Sequence, residues 1–225
     1  NDFLIKLGKN PSKDALSLIK YVIKELAEDP IFERITINLT WVLGNVGANK
    51  PLEDELIDFL IREYKKSDRW VRNEILIALR KIQKARPLPE KALSLLGDTL
   101  MERYDKIKVN ALHALGKAPD LSPSILRKVM LTLKSDSTNV VDICREILHR
   151  HLKGPDELFQ LLAAQDFHEK LDKRGIRAMV LIFEDISQLD ALRDLISRSE
   201  WAKNEKERYV YAIDTYEHIL LQNRR

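Results

Sequence analysis

Three segments of this chain of 225 residues, 35–44, 71–80 and 107–116, align slot by slot at a constant step of 36 residues. They open on a branched apolar residue, Ile35, Val71 or Ile107, and close on "VLG", "ALR" or "ALG". Pro51, Pro87 and Pro123 repeat the same interval, and Gly8 lies one interval before Gly44. A fourth segment, 140–149, follows after 33 residues, and a weaker fifth, 176–185, lies 36 beyond it. Self-similarity at a period of roughly 20 to 50 residues marks an architecture in which each unit buries its apolar face against its neighbours. No other feature of the chain restricts the fold as tightly.

One unit explains the period. After Pro51, residues Leu56, Ile57, Leu60, Ile61 and Tyr64 recur at helical spacing, and "KKSD" breaks that helix. Pro51 is expected to open it at the first helical position, where a missing N–H costs nothing. A second helix is expected over 69–84, with the stripe Val71, Ile75, Ala78, Leu79 and Ile82. Asp68 is placed to cap it. Ala78, Ala111, Ala114 and Gly116 are small enough for successive second helices to approach closely. The unit is therefore a helical hairpin of about 36 residues, and hairpins are expected at 11–46, 51–83, 87–117 and 122–152, with two less regular ones after them. Val71, Ile75, Leu79, Leu112, Leu115, Ile143 and Ile147 are expected in the core.

The expected class is all-α: a right-handed α-solenoid of stacked hairpins, a single domain over 1–225 with regular repeats at about 11–153 and irregular capping helices at about 154–225. Composition agrees, with 44% hydrophobic and 32% charged residues and only seven Gly and eight Pro. The last stretch, 200–222, reads as one long helix. Cys144 is the single cysteine, so an intrachain disulfide is excluded, and a buried thiol is the expectation for it. With no signal peptide and no long apolar run, the expected setting is cytoplasmic, with no membrane partner.

In the second helices, Asp68, Val71, Arg72, Ala78 and Leu79, then Ile107, Ala111, Ala114, Leu115 and Gly116, resemble the HEAT-repeat (armadillo-like) family, whose pattern is an Asp in the turn followed by V-R-x-x-A-A-x-A-L-G. The resemblance covers about residues 3–185. The family's Arg slot holds Thr36, Arg72, Lys108, Val141 and Arg177, so its Asp–Arg ladder is incomplete here. The resemblance implies an extended surface for holding another protein, as a helix or an extended peptide. Because "FLIKLGKNP" resembles the tail of a second helix, the chain is expected to begin part-way through a repeat of a longer solenoid.

Chemistry is sparse. Of the five histidines none forms a His-x-x-x-His pair, and His149 and His151 are two apart and diverge on a helix. HEAT-like metal hydroxylases carry several His-Glu dipeptides, and this chain has only His168–Glu169. No Gly-rich phosphate loop or nucleophile elbow occurs. Neither cofactor nor metal is expected, and the reading is of a non-enzyme. Charge is informative: between 62 and 91 lie ten Lys or Arg against four Asp or Glu. Arg69, Arg72, Arg80, Lys81, Lys84 and Arg86, with Lys108 in the next repeat, are the candidate partner-binding residues. Arg72 is expected to be diverted to Asp68, and Arg80, Lys81 and Lys84 to lie near a helix C-terminus. A row of cations also neutralises phosphates, so nucleic acid stands as the second partner class. The related enzyme alternative, a HEAT-like DNA glycosylase, has only Trp70 in its favour.

Overall fold

The computed structural model describes residues 2–9, 14–26 and 29–223. Among them are thirteen α-helices and no strand. The chain divides into two compact units, Asn1–Pro119 and Asp120–Arg225. That boundary falls inside the stretch 11–153 read as regular repeats.

The first unit holds α1 (Asp2–Lys9), α2 (Ala15–Leu26), α3 (Pro30–Gly47), α4 (Asp54–Lys66), α5 (Arg69–Ile82), α6 (Glu90–Thr99) and α7 (Asp105–Leu115). The hairpins α2–α3, α4–α5 and α6–α7 fall where the periodicity places them, although the first expected start, Pro11, lies outside the described residues. Helices α1, α3, α5 and α7 pack side by side as one layer, while α2, α4 and α6 each lie against their hairpin partners as a second. Ile75, Leu79, Leu112 and Leu115 are fully buried between the layers. Val71 is only half-buried. It sits in the first turn of α5.

The closeness of the first layer has a local cause. A Cβ on Gly44 would stand 2.9 Å from the Ala78 Cα and 3.0 Å from its Cβ, so α3 and α5 meet backbone to backbone. Loops are equally economical. Ser67 ends α4, and the Asp68 carboxylate accepts from the amides of Trp70 (2.9 Å) and Val71 (3.0 Å), closing the N-terminus of α5. Such a cap contributes about 1 kcal/mol. Pro51 and Pro87 do not open their helices. α4 begins two residues after Leu52 and α6 begins one residue after Pro89, because Leu52 and Leu88, 36 apart in sequence, are drawn into the core and hold the chain extended. Pro123, by contrast, does occupy the first turn of its helix.

The second unit contains α8 (Pro123–Thr132), α9 (Thr138–His151), α10 (Pro155–Ala163), a 3-10 segment over Ala164–Lys170, α11 (Lys173–Val180), α12 (Ile186–Arg198) and α13 (Lys203–Asn223). α8 packs on α9, α11 on α8, α9 and α13, and α12 on α10 and α13. Ile143, Cys144 and Ile147 are buried here. Arg193 ties α12 to α13 through Asp214 at 3.0 Å and through Glu217. Among the described residues two non-glycines have positive φ, Gln165 (58°) and Asp166 (51°), and they turn the chain after α10 and deliver His168 into the interior.

Two glycine substitutions test this packing. Gly44→Ala is expected to lower stability by about 1 to 3 kcal/mol, since an overpacked contact against backbone has no side chain to move aside. Gly154→Ala is expected to be neutral or slightly stabilising, because nothing lies within 4 Å of its added Cβ and its backbone is extended. Urea unfolding followed by circular dichroism measures both.

Candidate functional site

Charge is partitioned between the layers of the first unit. Helices α1, α3, α5 and α7 carry nine Lys or Arg against four Asp or Glu, a balance of +5. Helices α2, α4 and α6 carry six against seven, a balance of −1. Lys84 and Lys117, in the turns after α5 and α7, add to the basic layer and are exposed.

The seven sequence-derived candidates do not form one patch. Arg72 is structural: its Nε donates to the Tyr64 carbonyl at 3.0 Å, its guanidinium lies 5.3 Å from the centre of the Tyr64 ring, and Glu102 stands at 3.7 Å. Its partner is thus not Asp68, which is occupied by the two capping amides. The Tyr64 hydroxyl donates to Glu102 at 2.7 Å, and burial pushes that phenol above its ordinary range. Arg86 is structural too. It donates to the Leu52 carbonyl at 2.7 Å and pairs with Asp54 at 2.8 Å, fastening the turn after α5 to the start of α4. Lys108 is largely covered and lies 3.6 Å from Asp105. Lys81 donates to Asn45 on α3 at 2.8 Å.

Arg69, Arg80 and Lys84 have no acidic partner among the described residues, and the same holds on this layer for Arg34 and Lys106. Arg80 stands where Gly44 and Gly116 stand in neighbouring repeats, and it is half-buried near the end of α5. Arg69 lies 5.4 Å from the centre of the Trp70 ring and 5.0 Å from that of Tyr104. Trp70 is 63% exposed and Tyr104 53%. Charge counting singles out Arg69 but misses Tyr104, because ring and cation are 35 residues apart and meet only when α7 is laid beside α5.

The histidines separate by environment. His149 is exposed, with Nδ1 3.1 Å from the Ile182 carbonyl. His168 is buried and stacked on Trp201, with ring centres 4.0 Å apart and planes 3° apart, and the Tyr209 hydroxyl donates to its carbonyl oxygen at 2.8 Å. His151 is half-buried. Burial and then the neighbouring Arg150 hold its pKa below the ordinary 6.5, with Asp120 opposing them. Among the described residues no group of three or more His, Cys, Asp or Glu is arranged to hold a metal ion, and no helix is long and apolar enough to cross a membrane.

No family model matches this chain, and no curated protein matches it. Among solved structures it is similar to a crystal structure of an engineered protein, with TM-score 0.49 and 16% identity over 88% of this chain and 96% of that one. A second engineered protein gives TM-score 0.48 and 15% identity over 94% and 67%. Similarities at this level carry no argument about activity.

Two measurements check these assignments. Arg86→Ala is expected to cost about 1 to 2 kcal/mol, since it removes a charged donor from the Leu52 carbonyl, while Lys84→Ala stays within about 0.5 kcal/mol of the parent. For His151 the folded state disfavours the proton, so its contribution is present above pH 6.5 and is lost as the pH falls below that value. His151→Leu is expected to flatten that region of the stability profile in urea titrations between about pH 7 and 5.

Proposed function

We propose that this chain is a HEAT-like, right-handed α-solenoid acting as a non-catalytic binding scaffold in the cytoplasm, and that the α1–α3–α5–α7 layer of its first unit holds an acidic partner. The observation that carries the reading is the partition of charge, +5 on that layer against −1 on the other. The second and third hairpins of the first unit start at Asp54 and Glu90, the 36-residue step of the sequence, which supports the HEAT-like reading. Arg72, Arg86 and Lys108, engaged within the fold, leave the recognition set. Arg69, Arg80 and Lys84 stay in it, joined by Arg34 and Lys106. An acidic helix or extended peptide of another protein satisfies this surface. Nucleic acid satisfies it as well, favoured by the exposed rings of Trp70 and Tyr104 beside Arg69.

Heparin affinity at neutral pH tests the basic layer with a defined polyanion. The parent protein is expected to be retained and to elute at a salt concentration well above that of the Arg80→Glu, Lys84→Glu double variant, while the melting temperature stays the same. Equal elution of the two proteins would remove the layer as a binding surface.

A further inference from the structure

We infer that Arg69, Trp70 and Tyr104 form a stacking site for the bases of a single-stranded nucleic acid. The inference rests on the scaffold reading above, in which the basic layer receives a polyanion, and it names the class of that polyanion. Three observations carry it: the exposure of the two rings, the placement of the cation beside both, and the engagement of three acids near them.

Trp70 lies in the first turn of α5 and Tyr104 at the N-cap of α7. The turn at α5 is secured by the Asp68 carboxylate on the amides of Trp70 and Val71, a device that needs neither ring. With 63% and 53% of their surfaces in solvent, the indole and phenol contribute little to the core. More than half of each residue stays in solvent, with Arg69 over one face of each ring. Arg69 is held beside both rings, at 5.4 and 5.0 Å, by attraction to their π faces. No carboxylate neutralises it among the described residues, so its charge is left for an incoming anion.

Three acids near the cluster have partners, while Glu74, one turn on from Trp70 in α5, has no ion pair among the described residues. Asp68 accepts from backbone amides, Glu102 accepts from the Tyr64 hydroxyl and faces Arg72, and Asp105 faces Lys108. Arg103 and Lys106 are exposed beside Tyr104, and Arg80 and Lys84 lie further along α5 and its turn. Proteins that bind single strands without base readout combine such a cationic track with aromatic platforms on which bases stack. Each nucleotide supplies one planar base and one phosphate, which matches neighbouring rings flanked by cations. An acidic peptide supplies charge at every residue but flat rings only rarely. In a duplex the bases are already stacked, and opening a step for a side chain costs a few kcal/mol.

Fluorescence anisotropy with a fluorescein-labelled 15-nucleotide oligouridylate in about 50 mM salt tests the site. Trp70→Ala is expected to weaken binding by roughly 5- to 150-fold, the range of one lost stacking contact, and Tyr104→Ala by a similar factor. Trp70→Phe should retain most of the affinity, which separates stacking from any loss of folding. The same sequence annealed to its complement should bind about tenfold more weakly or less. Several results would overturn the inference: no binding of the oligouridylate; full binding by Trp70→Ala and Tyr104→Ala; or a Glu-rich 15-residue peptide that binds more tightly than the oligouridylate and depends on Trp70. If heparin is retained while the oligouridylate is not bound, the scaffold reading survives and the stacking site alone falls. If neither binds, both fall.

Discussion

The contact between α3 and α5 at Gly44 and Ala78 is the constraint on which the first unit depends. Because no side chain separates the two backbones there, the helices lie side by side at close range, and the 36-residue register of the sequence becomes a spatial register between neighbouring helices. Lys81 then reaches Asn45, 36 residues away, and the Asn110 side-chain amide reaches Asn73, 37 residues away. These cross-helix hydrogen bonds each contribute about 1 kcal/mol or less. Their consequence is positional: they hold the polar face of one helix in step with that of the next, so that cations borne by separate helices share one layer.

Behind that layer a second set of contacts joins successive hairpins. Tyr64 on α4 donates to Glu102 in the turn after α6, and Thr99 on α6 lies 3.1 Å from the same hydroxyl. Arg72 completes the group from α5. A guanidinium that bonds a backbone carbonyl, a carboxylate and an aromatic face together resists substitution by lysine, whose point charge cannot fill the three geometries. Arg86 is a similar clamp in the turn that follows α5, where it holds the Leu52 carbonyl and Asp54. The most basic stretch of the sequence is therefore divided by the fold between clamps and free charges, and only the free charges can contribute to recognition.

The two units place charge and aromatic residues differently. In the first, cations concentrate on α1, α3, α5 and α7. In the second, the packed helices α8 and α11 carry two and three Lys or Arg and no Asp or Glu, while α9 has no net charge and α13 is slightly acidic. Inside the second unit Phe159, His168 and Tyr209 gather around Trp201, while Tyr211 stays exposed. Delivering His168 into that cluster requires two residues in a conformation that L side chains rarely adopt, Gln165 and Asp166, stabilised by the rings packed beyond them.

Hairpin positions were legible in the sequence because each apolar stripe is local: Leu56 to Tyr64 and Ile75 to Ile82 announce their helices within a few turns, and Asp68 announces its cap. The long final helix was legible for the same reason. Val71, Pro51 and Arg72 were misjudged where a local pattern met a non-local partner. Val71, in the first turn of its helix, is only half-buried, Pro51 gives way to the burial of Leu52, and Arg72 turns to Tyr64 and Glu102. By itself the sequence determined the class, the period and the stripe each helix buries, since these follow from residues three or four apart. Only the tertiary structure decided which cations remain free and that Trp70, Arg69 and Tyr104 meet. Those outcomes depend on side chains some 36 residues apart in sequence being brought within a few ångströms, and periodicity sets that distance without specifying the partners.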